Sequence, residues 1–230
     1  MPFKNDFSNS NMNWIKTIGW LIRKEILLEW RQKYALGGIV LYVFSTIFIV
    51  HLSVLKVNVN IWNALYWIIV LFASVNAIVK SFIQENSNRQ LYYYTLTHPT
   101  AIILSKIIYN TLLLLIINVL TFVVFSFVAG NPVIHTGRFL LAIGLGSVGF
   151  GITFTFISAI AAKAANAATL MAILSFPVIL PILATLIELS FSAIRLQDTA
   201  AIGHNIQTLM AIDCILLALC FVLFPYLWRD

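Results

Sequence analysis

Between Leu36 and Trp228 the chain carries six apolar stretches, and each is long enough to cross a bilayer as a helix. A hydrocarbon core about 30 Å thick needs roughly 20 such residues. The stretches run near Leu36–Leu55, Ile61–Ile83, Ala101–Val128, Phe139–Ala161, Thr169–Leu189 and Thr208–Trp228. None has a Lys or Arg in its middle; Lys80 and Lys106 lie near span ends. Composition supports lipid as the solvent: 61% of the 230 residues are apolar and 10% charged, against about 25% charged in a soluble domain. A soluble fold of this length has too much surface for its volume to hide that much apolar area. The expected fold is therefore an all-α integral membrane protein with six transmembrane helices. A cytoplasmic N-terminal segment with an amphipathic interfacial helix, 1–35, precedes the six-span domain, 36–230.

Placement of the basic residues sets the expected orientation. With the N-terminus inside, the inner segments hold Lys4, Lys16, Arg23, Lys24, Arg31, Lys33, Lys80, Arg89, Lys106, Lys163 and Arg229. The outer segments hold only Lys56, Arg138 and Arg195. Both termini are thus expected in the cytoplasm, with the chain multi-pass in a plasma membrane. The formal charge of +6 reflects this bias and does not call for nucleic acid. The N-terminal MPFKNDFSNSNMN has no apolar core or cleavage pattern, so a cleaved signal peptide is not expected. Cys214 and Cys220 are six apart in one apolar run, turned away from each other on a helix, and read as packing residues.

The run GLGSVGFG, Gly144 to Gly151, matches the pattern of a dinucleotide-binding loop. It lies inside the fourth stretch, with no strand before it. Small residues inside a membrane helix instead let another helix approach. The pairs Ala142 with Gly146 and Ser147 with Gly151 have that spacing. No phosphate-binding loop of the form G-x-x-x-x-G-K-[ST] occurs, so the chain itself is not expected to bind ATP.

Trp14 to Lys33 reads as a helix before the first span. Lys16, Arg23, Lys24 and Arg31 share about a third of its circumference, which suits a helix at the membrane surface. Glu25 and Glu29, one turn apart, fall in its apolar sector. The helix is either a basic anchor on anionic lipid, or the Glu pair faces a neighbouring helix or a partner subunit. Between the second and third spans, Gln84 to Thr100 is polar, carries Tyr92, Tyr93 and Tyr94, and ends at His98-Pro99. Pro99 fits the first turn of the following helix. The segment is either a solvated loop or a docking element, since Tyr offers apolar area with a polar tip. Arg89 belongs to the same segment, and His98 reads as a surface residue.

These features resemble the permease subunits of ABC-2-type exporters and, more closely, the CcmB family, the haem exporter B permease of cytochrome c maturation. The resemblance rests on Arg23-Lys24-Glu25 through Arg31, on the approach to Pro99 followed by Ala101-Ile-Ile-Leu-Ser-Lys106, on Pro177-x-x-x-Pro181, and on Phe224-Pro225-Tyr226. One departure is Asn88-Arg-Gln-Leu-Tyr-Tyr-Tyr94, where many members have a Gly followed by a Leu-Glu-x-Leu run. The resemblance implies a bacterial inner-membrane complex with a separate ATPase, CcmA, and with CcmC and the small CcmD. It also implies a link to the haem chaperone CcmE, whose haem-loaded form is released by ATP hydrolysis. No catalytic residue and no tightly bound cofactor or metal is implied in this chain, haem would be a cargo, and a homodimer fits the architecture. An ABC-2-type permease for lipid, glycan or drug, and a passive assembly scaffold, are the alternatives.

On the expected outer side lie His51, His135 and His204. Haem iron accepts His ligands, and Arg138 or Arg195 would suit propionates; a solvated or packing role is the plainer reading. Glu188 and Asp213 fall near the outer ends of spans five and six, where carboxylates either reach water or face a cavity. With His204 they also define the alternative of an intramembrane enzyme. Pro177 and Pro181, one turn apart, predict a kink, either a static bend or a hinge.

Overall fold

In a computed structural model, described for residues 10–31, 33–53, 58–78, 99–162, 166–195 and 199–229, the chain is all-α, and no strand occurs among the described residues. The helices are α1 (Ser10–Arg31), α2 (Lys33–Ser53), α3 (Val59–Ile78), α4 (Pro99–Ala129), α5 (Thr136–Ala161), α6 (Ala167–Ile194) and α7 (Thr199–Arg229). Six of them contain segments long and apolar enough to span a membrane: Leu36–Ser53, Val59–Ile78, Pro99–Ala129, Thr136–Ala161, Thr169–Ile194 and Ile202–Tyr226.

The sixth segment corrects the sequence reading. Apolarity alone puts its start at Thr208, yet α7 begins at Thr199 and its apolar segment at Ile202. His204, Asn205 and Gln207 interrupt the apolar run, but Ile202 and Ile206 keep a half-buried helical face that carries the helix onward. Asp213 then stands about 21 Å from one end of α7 and about 24 Å from the other. It lies near the middle of the span, not at its outer end.

The centre of the bundle is α5, which packs against α6, α4, α7 and α3. Of the 26 residues of α5, 16 are buried, whereas α2 buries few, so α5 is the core and α2 the rim. Small residues permit this closeness. A Cβ on Gly146 would lie 3.0 Å from Leu186 Cδ1 of α6 and 3.1 Å from the Trp67 ring of α3. On Gly151 it would run into Thr111 of α4, whose Cα would be 3.1 Å away. Ala142 and Ser147 are fully buried on the same helix.

Without water in the core, buried polar side chains must find partners inside the bundle. Asn63 of α3 donates to the Ile187 carbonyl at 3.0 Å and accepts from Ser190 Oγ at 2.8 Å. Ser190 Oγ in turn accepts from Trp67 Nε1 at 2.9 Å, so α3 is stitched to α6. Asn118 Nδ2 donates to Ser147 Oγ at 2.9 Å, and Asn110 Nδ2 to Thr155 Oγ1 at 2.8 Å, joining α4 to α5 at two levels. Such bonds average about 0.6 kcal/mol each inside a membrane, so they set register more than they add stability.

At the bundle end away from α1, Trp62, Tyr66, Phe122, Phe125 and Phe139 form an aromatic cluster, with Phe122 and Phe139 centroids 4.8 Å apart. There Gly130, at φ 82°, ends α4 in the left-handed conformation that glycine adopts without strain. Its carbonyl accepts from Trp62 Nε1 at 2.9 Å. The following turn is held by the Ala193 carbonyl, which accepts from the backbone N–H groups of Ile134 and His135.

Candidate functional site

The site is built where α1 lies against the first turns of α4. Spanning 31 residues, α4 is about 46 Å long, well beyond the hydrocarbon thickness. Near its Pro99 end, two turns into the helix, it carries Lys106. Lys106 is 1% exposed. A buried ammonium without a counter-charge would cost several kcal/mol, and the partner comes from α1: Glu25 Oε1 lies 3.4 Å from Lys106 Nζ. The same oxygen is 3.3 Å from Lys24 Nζ, which reaches in from a more exposed position. Two ammonium groups therefore share one carboxylate, and one of the two is buried.

Apolar contacts frame this ion pair. Leu21, one turn before Glu25, packs on a cluster of Ile102, Ile103 and Ile107 from α4, Ile152 and Ala159 from α5, and Cys220 and Phe224 from α7. Three spans and α1 thus meet at one end of the bundle. Glu29 is half-buried and also partnered. Glu25 and Glu29 are both within electrostatic range of Tyr109, one turn beyond Lys106. The face of α1 with the two carboxylates is turned to a neighbouring helix of the same chain. Next to Tyr109 on α4, and one turn beyond Lys106, Asn110 holds Thr155 of α5. α1 is joined to α4 by a charged contact, and α4 to the central helix by hydrogen bonds.

The residues singled out in the sequence fall as follows. Pro99 is the first residue of α4. Arg89, Tyr92, Tyr93, Tyr94 and His98 lie outside the described residues. His51 is exposed at the last turn of α2, His204 is exposed in the second turn of α7, and His135 is half-buried at the start of α5. All three belong to the bundle end opposite α1, but no group of three or more His, Cys, Asp or Glu is gathered among the described residues. His204 is about 13 Å from Asp213 along α7, and Glu188 is exposed on α6. Pro177 and Pro181 lie within α6, which continues unbroken to Ile194. Cys214 is exposed and Cys220 buried.

Lys106 was read from the sequence only as a span-end residue, and its pairing with Glu25 was missed. The signal available was a carboxylate on the apolar side of an amphipathic helix, which has to meet a cation or water.

The profile of one protein family, described as CcmB protein, matches residues 16–227. The chain belongs to the CcmB family. That places a multi-pass membrane protein among the permease subunits of haem-exporter ABC systems. The match starts inside α1 and runs to the last turn of α7, so both partners of the Glu25–Lys106 pair fall within it. No curated protein and no solved structure matches the chain.

Proposed function

We propose that this CcmB-family chain transmits work from a separate ATPase subunit to the membrane bundle during cytochrome c maturation, serving haem export or release of a haem-loaded chaperone. The observation that carries this reading is the ion pair between Glu25 of α1 and the buried Lys106 of α4. Residues 84–98, the candidate docking segment, run directly into α4 at Pro99. The basic helix α1 is fastened to the same turns of α4. A push delivered to either element therefore reaches one helix, and from it the central α5.

In this reading the α1 end faces the cytoplasm, in keeping with the basic bias, and the membrane is the bacterial inner membrane. The ATPase is CcmA-like, and CcmC-like, CcmD-like and CcmE-like proteins complete the system. Affinity purification of the full chain in mild detergent tests it. Recovery of an ATPase together with a haem-binding subunit supports the reading. Recovery of an ATPase with no haem-handling partner, and normal c-type cytochromes in its absence, points instead to another cargo such as lipid, glycan or drug. Recovery of the haem-handling subunits with no ATPase would leave a passive scaffold.

A further inference from the structure

Asp213 stands near the middle of α7, 7% exposed, and its Oδ1 has almost no accessible surface and no hydrogen-bond partner among the described residues. The carboxyl is pressed into the seam between α5 and α7. A Cβ placed on Gly149 of α5 would lie 2.7 Å from Oδ1 and 3.3 Å from Ile182 of α6. Only the missing side chain at Gly149 makes room for it. We propose that Asp213 is a proton-binding site of the α5–α7 seam, loaded while the two helices are packed and emptied when they part.

The argument is one of space and charge. An ionised carboxylate at the centre of a bilayer is costly, and such groups are neutralised, paired or turned to water. Among the described residues no partner for Oδ1 is seen. From α5, His135 and Arg138 are about 16 Å or more along the helix from Gly149. From α6, Glu188 is about 9 Å along the axis from Ile182 and is exposed. From α4, Lys106 is held by Glu25, and Tyr109 lies at that same end of the bundle. On α7 itself His204 is exposed, Cys214 is exposed, and Cys220 is buried about 10 Å along the axis. A water or metal ion needs room and several donors or acceptors. At Oδ1 the packing leaves no room for either, so the ligand that fits is a proton. Parting α5 from α7 admits water, lets the carboxyl ionise, and thereby favours the parted arrangement. The site ties a proton to a helix movement. It is independent of the cargo and of the coupling reading above.

Infrared difference spectroscopy of the full chain in lipid nanodiscs tests the assignment. At neutral pH the carbonyl-stretch band of a protonated carboxylic acid is expected in the parent, lost in Asp213→Asn and retained in Glu188→Gln. Asp213→Asn mimics the neutral acid in shape, so its thermal midpoint should equal the parent's. Gly149→Ala, which pushes on the carboxyl, should shift the band. If Asp213→Asn fails to fold, isotope-labelled aspartate in the parent answers the same question, because Asp6, Asp198 and Asp230 lie outside the spans. An isotope-sensitive acid band supports the site. Identical spectra in this region for parent and Asp213→Asn, or a labelled parent with only ionised aspartate at neutral pH, overturn it.

Discussion

Glu25 and Lys106, 81 positions apart in sequence, meet with Oε1 and Nζ at 3.4 Å, and Lys106 has almost no surface left to water. The contact joins a helix read as interfacial to one that spans the membrane. It ties α1 to the bundle by charge as well as by the apolar packing of Leu21.

Removing the carboxylate should be costly. Glu25→Ala takes a carboxylate away from the buried Lys106 ammonium and is expected to destabilise the protein by up to about 3–5 kcal/mol, the range for breaking a buried pair from one side. Adding Lys106→Met should recover part of that loss, since the buried charge that Glu25 offset is gone. Thermal unfolding in mild detergent measures both. A double variant no more stable than Glu25→Ala alone would mean that the ion pair is not what Glu25 provides.

The glycines of α5 should not behave alike. Gly146→Leu and Gly151→Leu force backbones apart against Leu186, Trp67 and Thr111. A loss of about 1–3 kcal/mol is typical for overpacking. At Gly144 a Cβ meets nothing within 4 Å, so Gly144→Ala should not lower the melting temperature. Equal effects at all three positions would contradict the packing described.

The tyrosines of the connecting segment are the best candidate anchors for an ATPase. Replacing Tyr92, Tyr93 and Tyr94 together by Ala should reduce ATPase co-purification while the membrane level of the chain stays the same. A buried Tyr hot spot contributes about 2 kcal/mol or more. If the triple variant keeps its ATPase and Glu25→Ala loses it, docking belongs to α1.

Orientation has a direct check. Reporter fusions at Asn88 and His135 should lie on opposite sides of the membrane, with Asn88 in the cytoplasm. The same side for both would break the alternation of spans two to four.

The six spans were legible because apolar length is a local property that a bilayer fixes. The start of α7 was misplaced because His204, Asn205 and Gln207 look like a loop, while a helix end near the headgroups carries them at little cost. The pairing of Glu25 with Lys106 and the fit of Asp213 against Gly149 depend on which helix lies beside which. Residue spacing within one helix holds no such information. Glu25 did carry half a signal, as a carboxylate on the wrong side of an amphipathic helix. Asp213 carried a comparable one, lost when its depth was misjudged.

The central position of α5 has a consequence for how the chain is made. Trp62, Tyr66 and Trp67 leave the ribosome long before the helices they pack against, and Ser190, which holds Trp67, emerges only with the end of α6. The first three helices can enter the bilayer one by one and find a partner in α4, but the buried helix shared by α3, α4, α6 and α7 arrives only with Thr136–Ala161. A nascent chain stalled before Thr136 would leave the α5-facing sides of α3 and α4 open to lipid. The half-made protein thus lacks the centre of its core, and that centre arrives with a single helix.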